Sequence, residues 1–298
     1  GETIHCSRIL KRGGRRVDAD AILFESGGAS RRLPIPGPML AGDEWAGGSV
    51  RPCAAAIWQG MQGQDAAREA GCDYLRQLAL AQACAGAAFL DVNVDAFSDD
   101  LPQRIRAMQW TAELVQQACG LPLSVDSGSV ALLRAGLEAC DSRRGRALLN
   151  SVSLERLEVL EALPPSRPAL VVSAAGENGL PAGTAERLAN LDRILARLTA
   201  LGFGPDALYI DPLVYTISAD PANGRLFLEA VRAIRERFGP EIHIVGGFSN
   251  VSFGLPARRL VNRVFARLAV EAGCDSGLVD PLQINAAVLQ GLDPESEP

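Results

Sequence analysis

Apolar positions recur with two different periods along most of the chain from residue 65 onward. Short apolar runs of strand length are followed by longer segments in which apolar residues recur every three or four positions, the spacing of an amphipathic helix. Leu101, Ile105 and Met108 show this spacing in one such segment. The predicted strands, in chain order, are Thr3–Cys6, Ala87–Asn93, Leu121–Asp126, Arg146–Ser151, Pro168–Ser173, Ala207–Asp211, Glu241–Gly247 and Cys274–Asp280.

A predicted helix follows each strand, so the chain reads as a series of strand–helix units. Such a series is typical of an α/β protein, and eight units indicate a (β/α)8 TIM barrel, here one domain over residues 1–298. A doubly wound open sheet is the structural alternative, but its G-x-G-x-x-G phosphate loop is absent. The predicted helices are Gln64–Ala85, Asp99–Cys119, Ser129–Ala139, Leu154–Leu160, Ala182–Leu201, Gly224–Phe238, Leu255–Ala272 and Pro281–Leu289.

Residues 7–63 interrupt this rhythm between the first strand and the first helix. Glycine pairs and three closely spaced prolines divide the segment, so we predict a long insertion made of a hairpin and loops. Two interpretations stay open: a solvated surface extension, or a positively charged rim beside the carboxyl end of the first strand. Its basic residues are Arg8, Lys11, Arg12, Arg15, Arg16, Arg31 and Arg32.

Composition narrows the classes of function. A net charge of −6 and a pI near 5.1 argue against nucleic acid as a partner. No apolar run approaches the roughly 20 residues that cross a bilayer, and no signal segment is visible, so no membrane partner is predicted. Lys11 is the only lysine and lies in the basic insertion, which disfavours Schiff-base chemistry. The chain begins at Gly1 rather than Met, so we expect a few native residues to precede it.

The seven cysteines are scattered and mostly occupy apolar segments, without a C-x-x-C pair or zinc-ligand spacing. They predict reduced thiols in a cytoplasmic protein, and no metal site is predicted. His5 and Cys6 with the distant Cys53 form the one arrangement considered for a structural metal.

Polar side chains end one predicted strand after another. A single Asp or Asn at such a position is often a turn former or a helix N-cap. A succession at the same end of a barrel instead predicts a small-molecule site, since such sites form at the carboxyl ends of the strands. Carboxylates and carboxamides can bind a flat heterocycle that carries both donors and acceptors. The residues are Asp91, Asn93, Asp126, Asn150, Ser173, Asp211, Ser249, Asn250 and Asp280, with Gly246 and Gly247 just before Ser249.

The two histidines contribute less to this prediction. His243 lies inside an apolar run and is interpreted as a core or supporting residue, whereas the role of His5, at the end of the first strand, is left open.

Several of these strings resemble a known family. They are Leu-Ser-Val-Asp around Asp126, Asn150-Ser151, Asp211-Pro212-Leu213, and the stretch from Gly247 to Pro256 that contains Ser-Asn-x-Ser-x-Gly-Leu-Pro. Together they resemble the pterin-binding barrels and, more narrowly, the methyltetrahydrofolate:corrinoid-protein methyltransferases. The resemblance covers about residues 85–290, and the first strand also resembles the family's. The long basic insertion departs from the family pattern.

The resemblance implies an enzyme that moves a methyl group between N5 of tetrahydrofolate, in its 5-methyl form, and the cobalt of a corrinoid (cobalamin) on a partner protein. It implies a homodimer. It also implies that Asn250 reaches N5 and that Asp211 helps to supply the proton. The implied pterin-binding residues are Asp91, Asn93, Asp126, Asn150, Asp211, Gly247, Ser249 and Asn250. The direction of methyl flow is left open.

Three alternatives remain at this point. One is an enzyme like dihydropteroate synthase, although the lysine which that family uses after its seventh strand is missing here. Another is a phosphate-binding barrel enzyme that uses the backbone amides of Gly246 and Gly247. The third is a folate- or corrinoid-binding subunit without activity. For the insertion we expect Arg12 and Arg15 to contact the glutamate tail of folate or an acidic patch on the corrinoid protein.

Overall fold

The structure is a computed structural model that describes residues 1–292 and divides the chain into two compact units, Gly1–Ala147 and Leu148–Pro298. Each unit pairs parallel strands and follows most of them with a helix, so the predicted α/β class is confirmed. The single barrel domain over residues 1–298 stays a prediction. Within the described residues, no helix combines the length and apolar character that crossing a membrane requires.

The first unit is built around three parallel strands near its carboxylate-bearing residues. β1 pairs with β7 through Ile4 and Val92, and β7 pairs with β8 through Leu90 and Leu123, all of them fully buried. The strands are β1 (Ile4–His5), β2 (Leu10–Lys11), β3 (Val17–Asp18), β4 (Ala21–Ser26), β5 (Ala29–Pro34), β6 (Ser49–Val50), β7 (Leu90–Asn93) and β8 (Leu123–Asp126). The helices are α1 (Gly37–Leu40), α2 (Asp43–Ala46), α3 (Pro52–Gln62), α4 (Asp65–Cys84), α5 (Leu101–Cys119) and α6 (Val130–Ala139).

The insertion contains more structure than a hairpin and loops. β4 and β5 form the predicted hairpin, and β3 adds a third antiparallel strand. Buried Ile22 and Leu33 face each other across the hairpin while arginines line its exposed positions. The prediction missed the mostly buried helix α3, because its alanine-rich sequence has no polar face to give a helical period. Pro52 at its start favours a first helical turn.

The second unit contains four parallel strands in the order β9, β10, β11, β12. Their apolar residues are buried on neighbouring strands, with Leu170 beside Leu149 and Ile210 beside Ile244. The strands are β9 (Leu148–Val152), β10 (Ala169–Ser173), β11 (Leu208–Asp211) and β12 (His243–Ile244). The α-helices are α7 (Thr184–Ala200), α8 (Ala222–Phe238), α9 (Arg258–Ala272) and α10 (Ala286–Gln290), and 3-10 helices span Leu154–Ala162 and Phe248–Ser252.

The predicted eighth strand, Cys274–Asp280, is wrong as a regular strand, since these described residues have no strand assignment. Their backbone nevertheless runs beside β12: the amides of Asp275 and Ser276 donate to the Ile244 carbonyl, and the Leu278 amide donates to the Gly246 carbonyl. Glycine, aspartate and serine in this segment have low strand propensity, which explains why only an irregular strand forms. The helix predicted at Pro281–Leu289 is shorter and begins at Ala286.

Candidate functional site

In the first unit, the strand ends bring three predicted residues together around His5. Asp91 lies in β7 and is 1% exposed, and its Oδ2 lies 2.7 Å from Nε2 of His5, the last residue of β1. Asn93 ends β7 and donates from Nδ2 to Oδ2 of Asp126, the last residue of β8, at 3.0 Å. The parallel register places these residues at one edge because all three strands run the same way.

This cluster holds the buried Asp91, the half-buried Glu2 and Asp126, and one imidazole. Burial, and next the charge of Asp91, raises the pKa of Asp126 to about 7, against the opposing effects of His5 and Asn93. Burial alone would lower the pKa of His5, but its hydrogen bond to Asp91 and the charges of Asp91, Asp126 and Glu2 raise it. Burial also raises the pKa of Glu2. Asp126 can therefore carry or release a proton near neutral pH.

His5, Asp91 and Asp126 also offer ligand atoms that lie within 4.8 Å of one another, close enough to hold a metal ion. Their own hydrogen bonds use a ligand atom of each residue, which favours a proton-sharing cluster over a metal site. The other arrangement considered from the sequence used Cys6 and Cys53. Burial raises the pKa of both thiols, that of Cys53 to about 12, so both stay protonated and are poor metal ligands.

In the second unit, Asp211 ends β11 in register with Ser173, which ends β10. One oxygen of Asp211 accepts the Leu213 amide at 2.9 Å. Burial raises the pKa of Asp211 to about 6, opposed by that amide and by Arg187. Asn150 lies in β9 in register with Val171 of β10, and its peptide bond to the next residue is cis. The strand ends of this unit thus present a carboxylate and a carboxamide.

Asn250 lies in the 3-10 turn Phe248–Ser252, which follows the two glycines after β12. The residue is exposed, and its backbone N–H donates to the Gly247 carbonyl at 3.0 Å. A Cβ on Gly247 would lie 3.1 Å from Nδ2 of Asn250, so glycine leaves room around that carboxamide. Arg258 fixes the turn by donating to the Ser249 carbonyl at 2.9 Å and to Oγ of Ser252 at 3.0 Å.

Sequence reasoning missed two residues that shape these clusters. Asp95 lies two residues past β7 and accepts from Oγ of Ser127 at 2.5 Å and from the Gly128 amide at 2.9 Å, which ties together the loops after β7 and β8. Arg187 is 1% exposed and donates from Nε to the Pro212 carbonyl at 2.6 Å. Its signal was available, because a lone arginine on the apolar face of an amphipathic helix is unusual.

His243 is not a core residue. Its ring is partly exposed, stacks on Tyr209 at 4.4 Å between centroids, and lies 3.1 Å through Nδ1 from Oδ2 of Asp275. These contacts describe a supporting role at the exposed side of β12.

Comparison with known proteins identifies the family. The family of pterin binding enzymes matches residues 64–280, which is most of the chain. The chain belongs to the pterin-binding enzymes. A methylcorrinoid:tetrahydrofolate methyltransferase from Eubacterium limosum is 33% identical over 214 residues, covering 70% of this chain and 76% of that protein. The predictions of this family and of a methyltransferase are confirmed.

A second relative is methionine synthase from Mycobacterium tuberculosis, which is 31% identical over 229 residues. The match covers 71% of this pterin-binding chain but 19% of the synthase.

Solved structures support the fold. Dihydropteroate synthase from Yersinia pestis superposes with a TM-score of 0.60 at 18% identity, over 74% of this chain and 87% of that chain. The Xanthomonas albilineans enzyme gives 0.58 at 23% identity, over 78% and 87%. At these identities the likeness concerns the fold alone, and it confirms the predicted TIM-barrel class of the pterin-binding enzymes. The roles of the individual site residues stay predictions.

Proposed function

We propose that this protein transfers a methyl group between N5 of tetrahydrofolate and the cobalt of a corrinoid carried by a partner protein. The observation that carries the proposal is the turn at Asn250. It presents an exposed carboxamide beside Gly247, in the turn that follows β12, and Arg258 stabilises the turn through its hydrogen bond to the Ser249 carbonyl. The Eubacterium limosum relative, named for a methylcorrinoid and tetrahydrofolate, supports the same chemistry.

The proposal assigns the pterin ring to the carboxylates and carboxamides at the strand ends. In the first unit, Asp126 accepts hydrogen bonds from the ring, and Asn93 and Asp91 hold the ring in place. In the second unit, Asp211 and Asn150 take the same role. A carboxylate that accepts two adjacent N–H groups makes a charge-assisted bidentate contact, which suits an aminopyrimidinone edge. The support is the position of both carboxylates, which are half-buried at strand ends.

The chemistry requires help at N5. When the methyl group leaves folate, an uncharged tertiary amine is a poor leaving group unless its nitrogen gains a proton or a strong hydrogen bond. Asn250 can donate a hydrogen bond to N5 but cannot supply the proton. The proton therefore comes from water beside Asp211, whose pKa of about 6 lets it exchange protons close to neutral pH. The corrinoid supplies the cobalt that accepts or donates the methyl group.

Dihydropteroate synthesis is the rival function. That chemistry needs cations that hold a pyrophosphate leaving group, and the loop after β12 instead carries Gly247, Phe248 and Ser249. Lys11, the one lysine of the chain, lies in β2 of the insertion. The solved dihydropteroate synthases share the fold at low sequence identity, so their likeness to this chain is no argument that it catalyses the same reaction.

The proposal includes a homodimer. Leu260, Val264 and Leu268 form an apolar stripe along α9, and each side chain is between 42% and 48% exposed. An exposed stripe at four-residue steps is a common contact surface between helices. Sedimentation velocity of the chain measures this state directly.

The proposal also places the enzyme in the cytoplasm. All seven cysteines are free thiols, which is typical of a reducing compartment.

The deciding experiment measures methyl transfer from 5-methyltetrahydrofolate to reduced cobalamin by the change in cobalamin absorbance. Asn250→Ala should slow transfer by more than about tenfold, because the transition state loses its hydrogen bond at N5. Asn178→Ala is the matched control, since it makes the same change at an exposed asparagine in a loop. Its rate should equal that of the wild type.

Two outcomes would contradict the proposal. A wild-type rate in Asn250→Ala would remove Asn250 from the mechanism. Wild-type protein that binds tetrahydrofolate but transfers no methyl group, with free cobalamin or with a corrinoid protein, would favour the binding-subunit alternative. Circular dichroism and thermal unfolding of each variant show whether the fold survives.

A further inference from the structure

Arg187 is a fully buried cation that the proposed reaction does not use. It lies in the first turn of α7, on the face that also buries Leu191, Ile194 and Leu198, and 1% of its surface is exposed. Burying a guanidinium costs several kcal/mol unless opposite charge and hydrogen bonds compensate it. The surroundings of Arg187 must therefore contain its compensation.

The direct contacts of Arg187 compensate it only in part. Nε donates to the Pro212 carbonyl at 2.6 Å, and the guanidinium lies 5.0 Å from the centre of the Tyr215 ring. Nη1 is buried and has no hydrogen-bond partner among the described residues. Burial accordingly lowers the pKa of Arg187.

Asp211 is the acid that directly precedes Pro212, the residue whose carbonyl Arg187 binds. Tyr215, Asp211 and Glu186 all act on the guanidinium electrostatically, but Glu186 is exposed and binds the Ala182 amide at 2.8 Å. Asp211 is half-buried at the end of β11, and the charge of Arg187 opposes the rise of its pKa. Two further titratable groups interact with Asp211. Burial, and to a smaller extent Asp211, raise the pKa of Tyr215, and burial, then Asp275 and Asp211, raise the pKa of the Cys274 thiol to about 12, so both stay neutral.

Arg187 also holds the backbone that carries Asp211. Leu213 has a positive φ of 72°, a left-handed conformation that costs a side-chain-bearing residue about 1 kcal/mol. The turn persists because the Leu213 amide binds Oδ1 of Asp211 and the Pro212 carbonyl accepts from Arg187. The guanidinium thus fixes the peptide immediately after the carboxylate.

We propose that Arg187 is the positioning residue for Asp211: it supplies the buried positive charge opposite that carboxylate and clamps the turn that aims it at the substrate. The substrate class that this arrangement fits is a flat nitrogen heterocycle with adjacent N–H donors, which an ionised and fixed carboxylate can bind through both oxygens. This inference rests on the proposed function for the identity of the ligand, but its charge-balancing part can be tested without any ligand.

The first test titrates Asp211 in the ligand-free protein. NMR of protein labelled at the aspartate carboxyl carbon follows its ionisation, and Asp211→Asn identifies the signal. Arg187→Met and Arg187→Gln remove the charge, and the glutamine keeps a donor for the Pro212 carbonyl. Both should raise the titration midpoint of Asp211 by about one pKa unit or more, whereas Arg187→Lys should restore most of the wild-type value. Arg193→Met, on the exposed face of the same helix, is the matched control.

The second test measures the dissociation constant for tetrahydrofolate against pH. If binding needs the ionised carboxylate, a rise of one unit weakens binding about fivefold at pH 6 and leaves it within about twofold at pH 8.5, since one pKa unit is a tenfold change in ionisation. Arg187→Gln should show this pattern. A loss of affinity of the same size at both pH values instead measures the hydrogen bond from Arg187 to the Pro212 carbonyl. Arg187→Met should show more of this pH-independent loss than Arg187→Gln.

The results of these two tests distinguish the proposed function from the proposed role of Arg187. Wild-type protein that binds no tetrahydrofolate overturns the proposed function, and the NMR titration still decides the role of Arg187. An unchanged Asp211 midpoint in the neutral variants overturns the role of Arg187, whatever the protein binds. If Arg187→Met does not fold, Arg187→Gln and the lysine rescue give the same decision.

Discussion

Replacing Asp126 with asparagine should stabilise the ligand-free protein above neutral pH while weakening pterin binding. Asp126 is a half-buried carboxyl group close to Asp91, and Asn93 donates a hydrogen bond to it at 3.0 Å. The carboxamide of Asp126→Asn keeps an oxygen that can accept from Asn93 but cannot ionise. The change therefore removes the charge and preserves most of the shape.

The sign of the effect follows from the raised pKa. Asp126 titrates near pH 3.8 in the unfolded chain and near 7 in the folded protein. Between these values the folded protein keeps a proton that the unfolded chain has released, so the free energy of unfolding falls as pH rises and is flat above about 7. Each pKa unit corresponds to about 1.4 kcal/mol. From pH 5 to pH 8 the titration of Asp126 should lower the free energy of unfolding of the wild type by about 3 kcal/mol, a decrease that Asp126→Asn should not show.

Urea unfolding followed by circular dichroism at about pH 5 and about pH 8 measures this difference. Asp99→Asn, at an exposed position, is the matched control and should show no change with pH relative to the wild type. Asp126→Asn should also bind tetrahydrofolate at least about tenfold more weakly, since it loses a charge-assisted contact. The reasoning is refuted if the stability difference between Asp126→Asn and the wild type does not grow with pH.

Two further predictions concern packing and the insertion. A Cβ on Gly71 would lie 2.5 Å from a backbone oxygen of α3, so Gly71→Ala should lower the free energy of unfolding by about 2 kcal/mol. Gly128→Ala, with its nearest neighbour at 3.7 Å, is the control in thermal unfolding, and equal melting temperatures would contradict this explanation. The double variant Arg12→Glu, Arg15→Glu should bind a polyglutamated folate or an acidic corrinoid protein more weakly than the wild type at low salt, and the difference should decrease at high salt. Unchanged affinities for both at low salt would leave the arginines as a solvated surface.

Much of the fold was predictable because its signals are local in the sequence. Asp91, Asp126 and Asp211 each follow an apolar run, and the structure places each in or at the end of a parallel strand. Helix boundaries mattered less to the site, since strand direction alone sets which end carries the polar residues. The predicted strand at Cys274–Asp280 was wrong because the hydrophobic pair Leu278-Val279 cannot outweigh the glycine, serine and aspartates around it, although the backbone still bonds to β12.

The partners of these carboxylates were not predictable in the same way, because they lie on other elements. His5 is far from Asp91 in sequence and meets it only through the pairing of β1 with β7. Arg187 precedes Asp211 on a separate helix and contacts the turn after β11 through the Pro212 carbonyl. Strand-end patterns identify which acids are present, whereas tertiary packing decides what balances their charge.

That difference has a chemical consequence for the proposed enzyme. Asp126 is balanced by an imidazole, which itself gains and loses a proton, and its pKa lies near 7. Asp211 is balanced by a guanidinium, which stays charged throughout the pH range of these tests, and the pKa of Asp211 is about 6. A decline of pterin affinity with falling pH that is lost in Asp126→Asn therefore reports on the cluster of His5, Asp91 and Asp126, whereas a decline that moves to higher pH in Arg187→Gln reports on Asp211.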